Sequence, residues 1–120
     1  MAWEMILVDE VDEWFMNLVH HDKEAAAHVE AAIDLLAQGG PALGRPYVDT
    51  IHGSRIKNLK ELRPSNIRIL FVFDPQKQAV LLIAGDQAGQ WKQWYRENIP
   101  VAEQRYQKWL DGGYEIERKQ

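Results

Sequence analysis

The chain has 120 residues, 46% of them hydrophobic and 27% charged, with no cysteine and a formal net charge of −4. That length suits one domain, able to bury roughly two thirds of its unfolded surface without a metal or disulfide, and the missing thiols exclude disulfides and cysteine nucleophiles. Net acidity taken alone argues against a nucleic-acid binder. No apolar run approaches the ~20 residues of a membrane span, and Met1 to Val8 is too short and acidic for a signal peptide, so a soluble cytoplasmic protein with no membrane association is expected.

In chain order, WEMILVDE opens with a short apolar strand. Asp9 reads as the N-cap of a helix, with Asp12 three positions on. Val11, Trp14, Phe15, Leu18 and Val19 recur at the spacing of one amphipathic face. After a turn around His20-His21, Asp22 caps a second helix. Ala25, Val29, Ala32, Ile33 and Leu36 form its stripe, and Gly39-Gly40-Pro41 ends it. Residues 39–55, with Gly39, Gly40, Gly44, Gly53, Pro41 and Pro46, read as a loop.

Three strands follow, over about 56–63, 67–74 and 79–84. Pro64-Ser65-Asn66 and Pro75-Gln76-Lys77-Gln78 are short enough to make both connections hairpins, hence antiparallel. The third strand, AVLLIAG, has no polar residue and belongs at the centre of the sheet. Gly85-Asp86-Gln87-Ala88-Gly89 then makes a tight turn into a helical pattern in which Trp91, Trp94 and Tyr95 share a face. Pro100 falls where a first-turn proline is tolerated, and Ala102, Tyr106, Trp109 and Leu110 continue the stripe to Gly112-Gly113. The reading is a single α+β domain over 1–113, ordered β-α-α-β-β-β-α, with 114–120 as a tail.

Few residues offer familiar chemistry. His20 and His21 are adjacent and point about 100° apart on a helix, so they cannot share a face with His28, and His52 stands alone. No metal site and no cofactor is expected. The two serines, Ser54 and Ser65, lie in turns without a nucleophile-elbow context. Charge distribution is more informative. Residues 1–34 hold nine acids against one base, Lys23, and sum to −8, while residues 35–120 sum to +4. Between Gly53 and Leu70 five bases, Arg55, Lys57, Lys60, Arg63 and Arg68, face the single acid Glu61. Lysine and arginine stabilise charge developing on a phosphoryl group, and RNA cleavage needs little more, because the attacking 2′-hydroxyl is part of the substrate. The bland alternative is a strand edge kept soluble by cations.

LKELRPSNIRILFVFDPQKQAVLLIAGD, followed by an aromatic and basic helix of the form W…WY…IP.AE.RY.KWL, resembles the RelE/ParE toxin superfamily, most closely its phage-derived HigB-like branch. The resemblance spans nearly the whole chain in order, and its most specific part is ELR, then RILFVFD, then VLLIAG. It implies a RelE-like fold, with an N-terminal strand and helical hairpin packed on an antiparallel sheet and a C-terminal helix. It also implies the toxin of a type II toxin–antitoxin system, a ribosome-dependent mRNA endoribonuclease neutralised by a helix-turn-helix antitoxin. Carried over by position, the family's catalytic residues fall on Lys57, Lys60, Arg63, Arg68 and Tyr95, with Lys92, Arg96 and Arg55 as accompanying substrate-binding cations. Lys57, Lys60, Arg63 and Arg68 would then line one concave sheet face. ParE-like relatives inhibit DNA gyrase by binding alone, which leaves a non-catalytic toxin, or a degenerate antitoxin-binding relative, as the other reading.

Overall fold

The apolar runs become β1 (Glu4–Leu7), α1 (Asp9–His21), α2 (Lys23–Gly39), β2 (Val48–Thr50), β3 (Lys60–Leu62), β4 (Arg68–Asp74), β5 (Gln78–Gly85) and α3 (Trp91–Leu110), with one 3-10 turn at Gly40–Ala42. This computed structural model describes residues 2–86 and 89–115. Gln87 and Ala88 of the expected strand-to-helix turn, and residues 116–120 of the expected tail, lie outside the described residues.

The strands form one sheet in the order β1-β5-β4-β3-β2. The β2–β3, β3–β4 and β4–β5 pairs are antiparallel, and β1 runs parallel to β5. The expected α+β architecture is therefore present, as a mixed sheet. Two details differ from the sequence reading. Residues 39–55 are not all loop, because Val48–Thr50 pairs with Lys60–Leu62. The strand expected from residue 56 begins only at Lys60. Asn58 has a φ of 64°, a left-handed conformation that a continuous strand does not accommodate.

Burial follows the alternation and the apolar runs. Ile69, Leu70, Phe71, Ala79, Val80, Leu81 and Leu82 are all fully buried in β4 and β5, each large one contributing about 1.5–3 kcal/mol of burial. α1 lies against β1 and β5, α2 against β1, and α3 against β5 and β4. Asp22 caps α2 as expected, accepting the Ala25 N–H at 3.1 Å. Asp9 does not cap α1; the N-cap position is Val8, and Asp9, Glu10 and Asp12 occupy the first turn, where their charge favours the helix dipole.

α3 runs unbroken through Pro100. Proline has no N–H for the Arg96 carbonyl, so continuity comes from tertiary packing. Trp94, Ala102 and Trp109 are buried, and the Arg105 side chain donates to the Leu82 carbonyl at 2.9 Å while its Nε lies 3.5 Å from Glu10 on α1. Tyr114, first residue of the expected tail, is buried, with the Lys108 ammonium 4.3 Å over its ring. Gly85 leaves room for Trp94 of α3 to lie directly on the sheet, since a Cβ there would lie 2.2 Å from Nε1 of Trp94.

Candidate functional site

Strand register sorts the polar residues of the sheet between its two faces. Asp49 pairs with Glu61, and Glu61 with Leu70. Paired residues share a face, as do residues two apart on one strand, so Asp49, Glu61, Arg63 and Arg68 gather on one side. Lys60 pairs with Thr50 on the other side, where its ammonium donates to the Thr50 hydroxyl at 3.1 Å. Lys57 is exposed in the bend before β3. The expected row of four cations on one concave face is therefore not formed. A break at Asn58 and the alternation of β3 divide it.

The residues that do gather converge on Glu61, whose side chain has no exposure. Its Oε1 accepts Arg63 Nε at 2.7 Å and lies 3.8 Å from Arg68 Nε. Its Oε2 accepts the Tyr95 hydroxyl of α3 in a short hydrogen bond. Arg63 also reaches Asp49 through Nη2 at 3.3 Å, and Arg45 Nε sits 3.2 Å from the same carboxylate. A buried carboxylate is tolerated only with such partners, and losing one of them is costly. Three guanidinium groups face two carboxylates, so the cluster keeps one net positive charge.

Arg68 is fixed from three directions. Its Nη1 donates to the carbonyls of Ser65 at 3.1 Å and Ile67 at 2.9 Å, and its guanidinium stacks 4.9 Å over the Trp91 ring. Trp91 packs edge-on against Trp94 at 5.5 Å, and Trp94 against Tyr95 at 5.4 Å. Trp91 and Tyr95 are four apart, so one face of α3 presents both to the end of the sheet. Arg63 and Arg68 keep about a third and a fifth of their side-chain surface open. Nη1 of Arg63 and Nη2 of Arg68 make no hydrogen bond within the described residues. An anion reaching this corner would meet two planar donors able to grip phosphate oxygens.

Burial, with the Glu61 hydrogen bond and charge adding to it, pushes the Tyr95 phenol up to about 12, against the pull of Arg68 and Arg63. The phenol is therefore protonated at neutral pH, with its proton committed to Glu61. Its oxygen offers acceptor lone pairs to a neighbour. Arg63 is raised above its ordinary value, chiefly by its hydrogen bond to Glu61. Asp49 is held below the usual carboxylate range by the Thr50 N–H and then by Arg45.

The remaining nominated cations lie apart from this corner. Arg55 is tied to Glu103 of α3, through its backbone N–H at 2.6 Å and its Nε at 3.3 Å. Lys92 and Arg96 are exposed on α3, each about 100° round the helix from the aromatic residue before it. Sequence reasoning passed over Glu61, and over Asp49, hidden in an apparent loop. Glu61 was the lone acid among five bases, which is the signal that could have marked it. Among the described residues no group of three or more histidines and carboxylates could hold a metal ion, and no helix is long and apolar enough to cross a membrane.

The family model described as Phage derived protein Gp49-like (DUF891) matches residues 14–107. The chain belongs to this Gp49-like family. It is 53% identical over 108 residues to the protein named Putative toxin HigB3 of Mycobacterium tuberculosis (strain ATCC 25618 / H37Rv), covering 88% of this chain and 92% of that one. It is 48% identical over 108 residues to Putative toxin HigB2 of the same strain, covering 86% of this chain and 52% of that one, so it spans about half the length of that relative. Both comparisons agree with the resemblance to the HigB-like branch of the RelE/ParE superfamily. The matched span of this Gp49-like chain contains the whole corner, from Arg45 and Asp49 through Glu61, Arg63 and Arg68 to Trp91 and Tyr95.

Proposed function

We propose that this Gp49-like protein is the toxin of a type II toxin–antitoxin pair and that it cuts mRNA on the ribosome through attack of a 2′-oxygen on the adjacent phosphorus. The observation that carries the reading is the convergence of Arg63, Arg68 and Tyr95 on buried Glu61, which builds a partly open cationic corner beside a phenol. The names of the two mycobacterial relatives support the toxin assignment, and a toxin of this type implies a cognate antitoxin, expected to be a helix-turn-helix protein, and the ribosome with its message as further partners.

In this reading Arg68, held by Ser65, Ile67 and Trp91, meets the phosphate and stabilises the charge that builds on it, with Arg63 alongside. Tyr95 takes the proton of the 2′-hydroxyl as its own proton passes to Glu61, so phenolate never has to form at a pH far below 12. The 2′-oxygen bonds to phosphorus, the bond to the 5′-oxygen breaks, and that leaving oxygen takes a proton from solvent. Glu61 has no exposed surface and acts behind Tyr95. Inducing the protein in a bacterium and mapping message 5′ ends tests the proposal: new ends clustered within translated codons support it, and growth arrest with intact messages contradicts it.

One observation favours a second reading. Arg63 is shared between two carboxylates and Arg55 is bound to a third, as expected of cations spent on internal structure. A toxin that acts by binding alone, as ParE-like proteins do on gyrase, would need no free arginine here. Growth arrest accompanied by DNA-damage signalling, and unaffected by Arg68→Ala, is the outcome that reading predicts.

A further inference from the structure

We infer that the groove between residues 51–59 and α3 seats the single-stranded RNA flanking the reacting phosphate, an inference that rests on the endoribonuclease reading above. The 51–59 segment is an excursion between β2 and β3, closed at its base by the Ile51 N–H donating to the Leu59 carbonyl at 2.8 Å. It is pinned to α3 by one carboxylate. Glu103 accepts the Ser54 hydroxyl at 2.8 Å, the Arg55 N–H at 2.6 Å and Arg55 Nε at 3.3 Å. The backbone N–H of Arg55 is the main cause that holds Glu103 below its ordinary range, so the latch is ionised at neutral pH.

The groove that remains encloses about 580 Å3, lined chiefly by Arg55, Ile56, Lys57, Gln104, Tyr106 and Leu110. That volume lies within the ~300–1,000 Å3 of ordinary ligand clefts. Its chemistry matches what unpaired RNA needs: cations for phosphates, an aromatic ring for a base face, and side-chain amides for base edges. Arg55 is 86% exposed, whereas Glu103 beneath it is only 12% exposed, so the rim presents Arg55 and Lys57. Gln107, which also lines the groove, donates its amide nitrogen to Asp111 at 3.0 Å and so keeps its oxygen as an acceptor. Tyr95 and Tyr106 are eleven positions apart, close to three whole turns, so they share one face of α3 about 16 Å apart. The groove's Tyr106 and the corner's Tyr95 are therefore aligned along one face of α3.

The test uses the full-length protein with p-benzoylphenylalanine at Gln107, an exposed position, on ribosomes programmed with labelled message that is 2′-O-methylated at a cleavage site mapped beforehand. Irradiation is expected to join the protein to the message, and Lys57→Glu is expected to lower the adduct yield several-fold. An adduct with ribosomal RNA alone or with protein alone overturns the inference, as does a yield unchanged by Lys57→Glu. Cleavage of unmodified message by the wild type separates the two levels. If messages are cut and Gln107 never reaches them, the groove assignment falls while the endoribonuclease reading stands. If messages are not cut, both fall.

Discussion

The Tyr95 hydroxyl donates to a carboxylate oxygen of Glu61, thirty-four positions earlier in the chain, joining α3 to β3 through a bond with its acceptor end fully buried. Burial raises the phenol's pKa first, and this contact adds to the rise while positioning the group. Glu61→Gln removes the charge and preserves most of the shape. Spectrophotometric titration of the tyrosines is expected to show one phenol leaving the region near 12 and moving down towards 10.0, its ordinary value. Glu61→Ala leaves the Tyr95 hydroxyl and Arg63 Nε without their buried acceptor and should cost about 1–3 kcal/mol in urea unfolding. An unchanged tyrosine titration in Glu61→Gln would show that the charge does not govern the phenol.

The same shift fixes a stability change with pH. Tyr95 has its pKa raised on folding, so the folded state holds that proton more tightly than the unfolded chain. The contribution is complete below pH 10 and is lost as pH rises from 10 towards 12. Urea midpoints measured from pH 9 to 12 should fall less steeply in Tyr95→Phe than in the wild type, because phenylalanine carries no such proton. Parallel curves would contradict this.

Tyr95→Phe also separates chemistry from folding. Removing a hydrogen bond to a buried charged group costs about 1.5–3 kcal/mol of stability, whereas loss of a proton-transfer group costs about 10²–10⁴ in rate. Message cleavage on programmed ribosomes should therefore fall by at least a hundredfold while the protein remains folded by circular dichroism. Cleavage within a few-fold of wild type would remove Tyr95 from the proton pathway.

Gly85 permits α3 to sit on the sheet. An alanine Cβ there would meet the Trp94 indole at 2.2 Å, so Gly85→Ala must push the start of α3, with Trp91 and Tyr95, away from Arg68 and Glu61. Overpacking of this kind costs about 1–3 kcal/mol. Thermal unfolding should show the loss, and the high-pH tyrosine titration should shift with it. A variant as stable as wild type, with Tyr95 unperturbed, would refute this account of the glycine.

Acid should release the 51–59 segment before it unfolds the domain. The Glu103 pKa is lowered from 4.5 on folding, so its contribution is present above that value and is lost as pH falls below it. Hydrogen exchange corrected for intrinsic rate should show the Arg55 amide losing protection below about pH 4.5, and Glu103→Gln should loosen it at neutral pH. Uniform protection across that range would contradict the latch.

The parts of this structure legible in the sequence were those set by local pattern. Asp22 as a cap, the Gly39-Gly40-Pro41 stop, the Pro64-Ser65-Asn66 turn and the apolar run of β5 follow from capping, turn chemistry and periodicity, which act over a few residues. The parallel pairing of β1 with β5 and the strand at Val48–Thr50 were not legible, because both depend on partners far along the chain. Pro100 misled for a related reason, since tertiary contacts of Trp94 and Trp109 carry α3 past a residue that local propensity treats as a start. The candidate site divides in the same way. Arg63, Arg68 and Tyr95 were visible as residue types in a family pattern, but what collects them is Glu61. A buried carboxylate among lysines and arginines looks like a minority charge until register shows which side chains share its face. Lys57 is cut off from the cationic row by the break at Asn58, and Lys60 by the alternation of β3, which turns it to the face opposite Arg63.

Cleavage of message by wild type and Arg68→Ala, with and without ribosomes and followed by 5′-end mapping, tests the central claim most directly. The account predicts ribosome-dependent cuts by the wild type and a loss of about 10²–10³ in rate for Arg68→Ala. Equal cutting by both proteins, or growth arrest with every message intact, would contradict it.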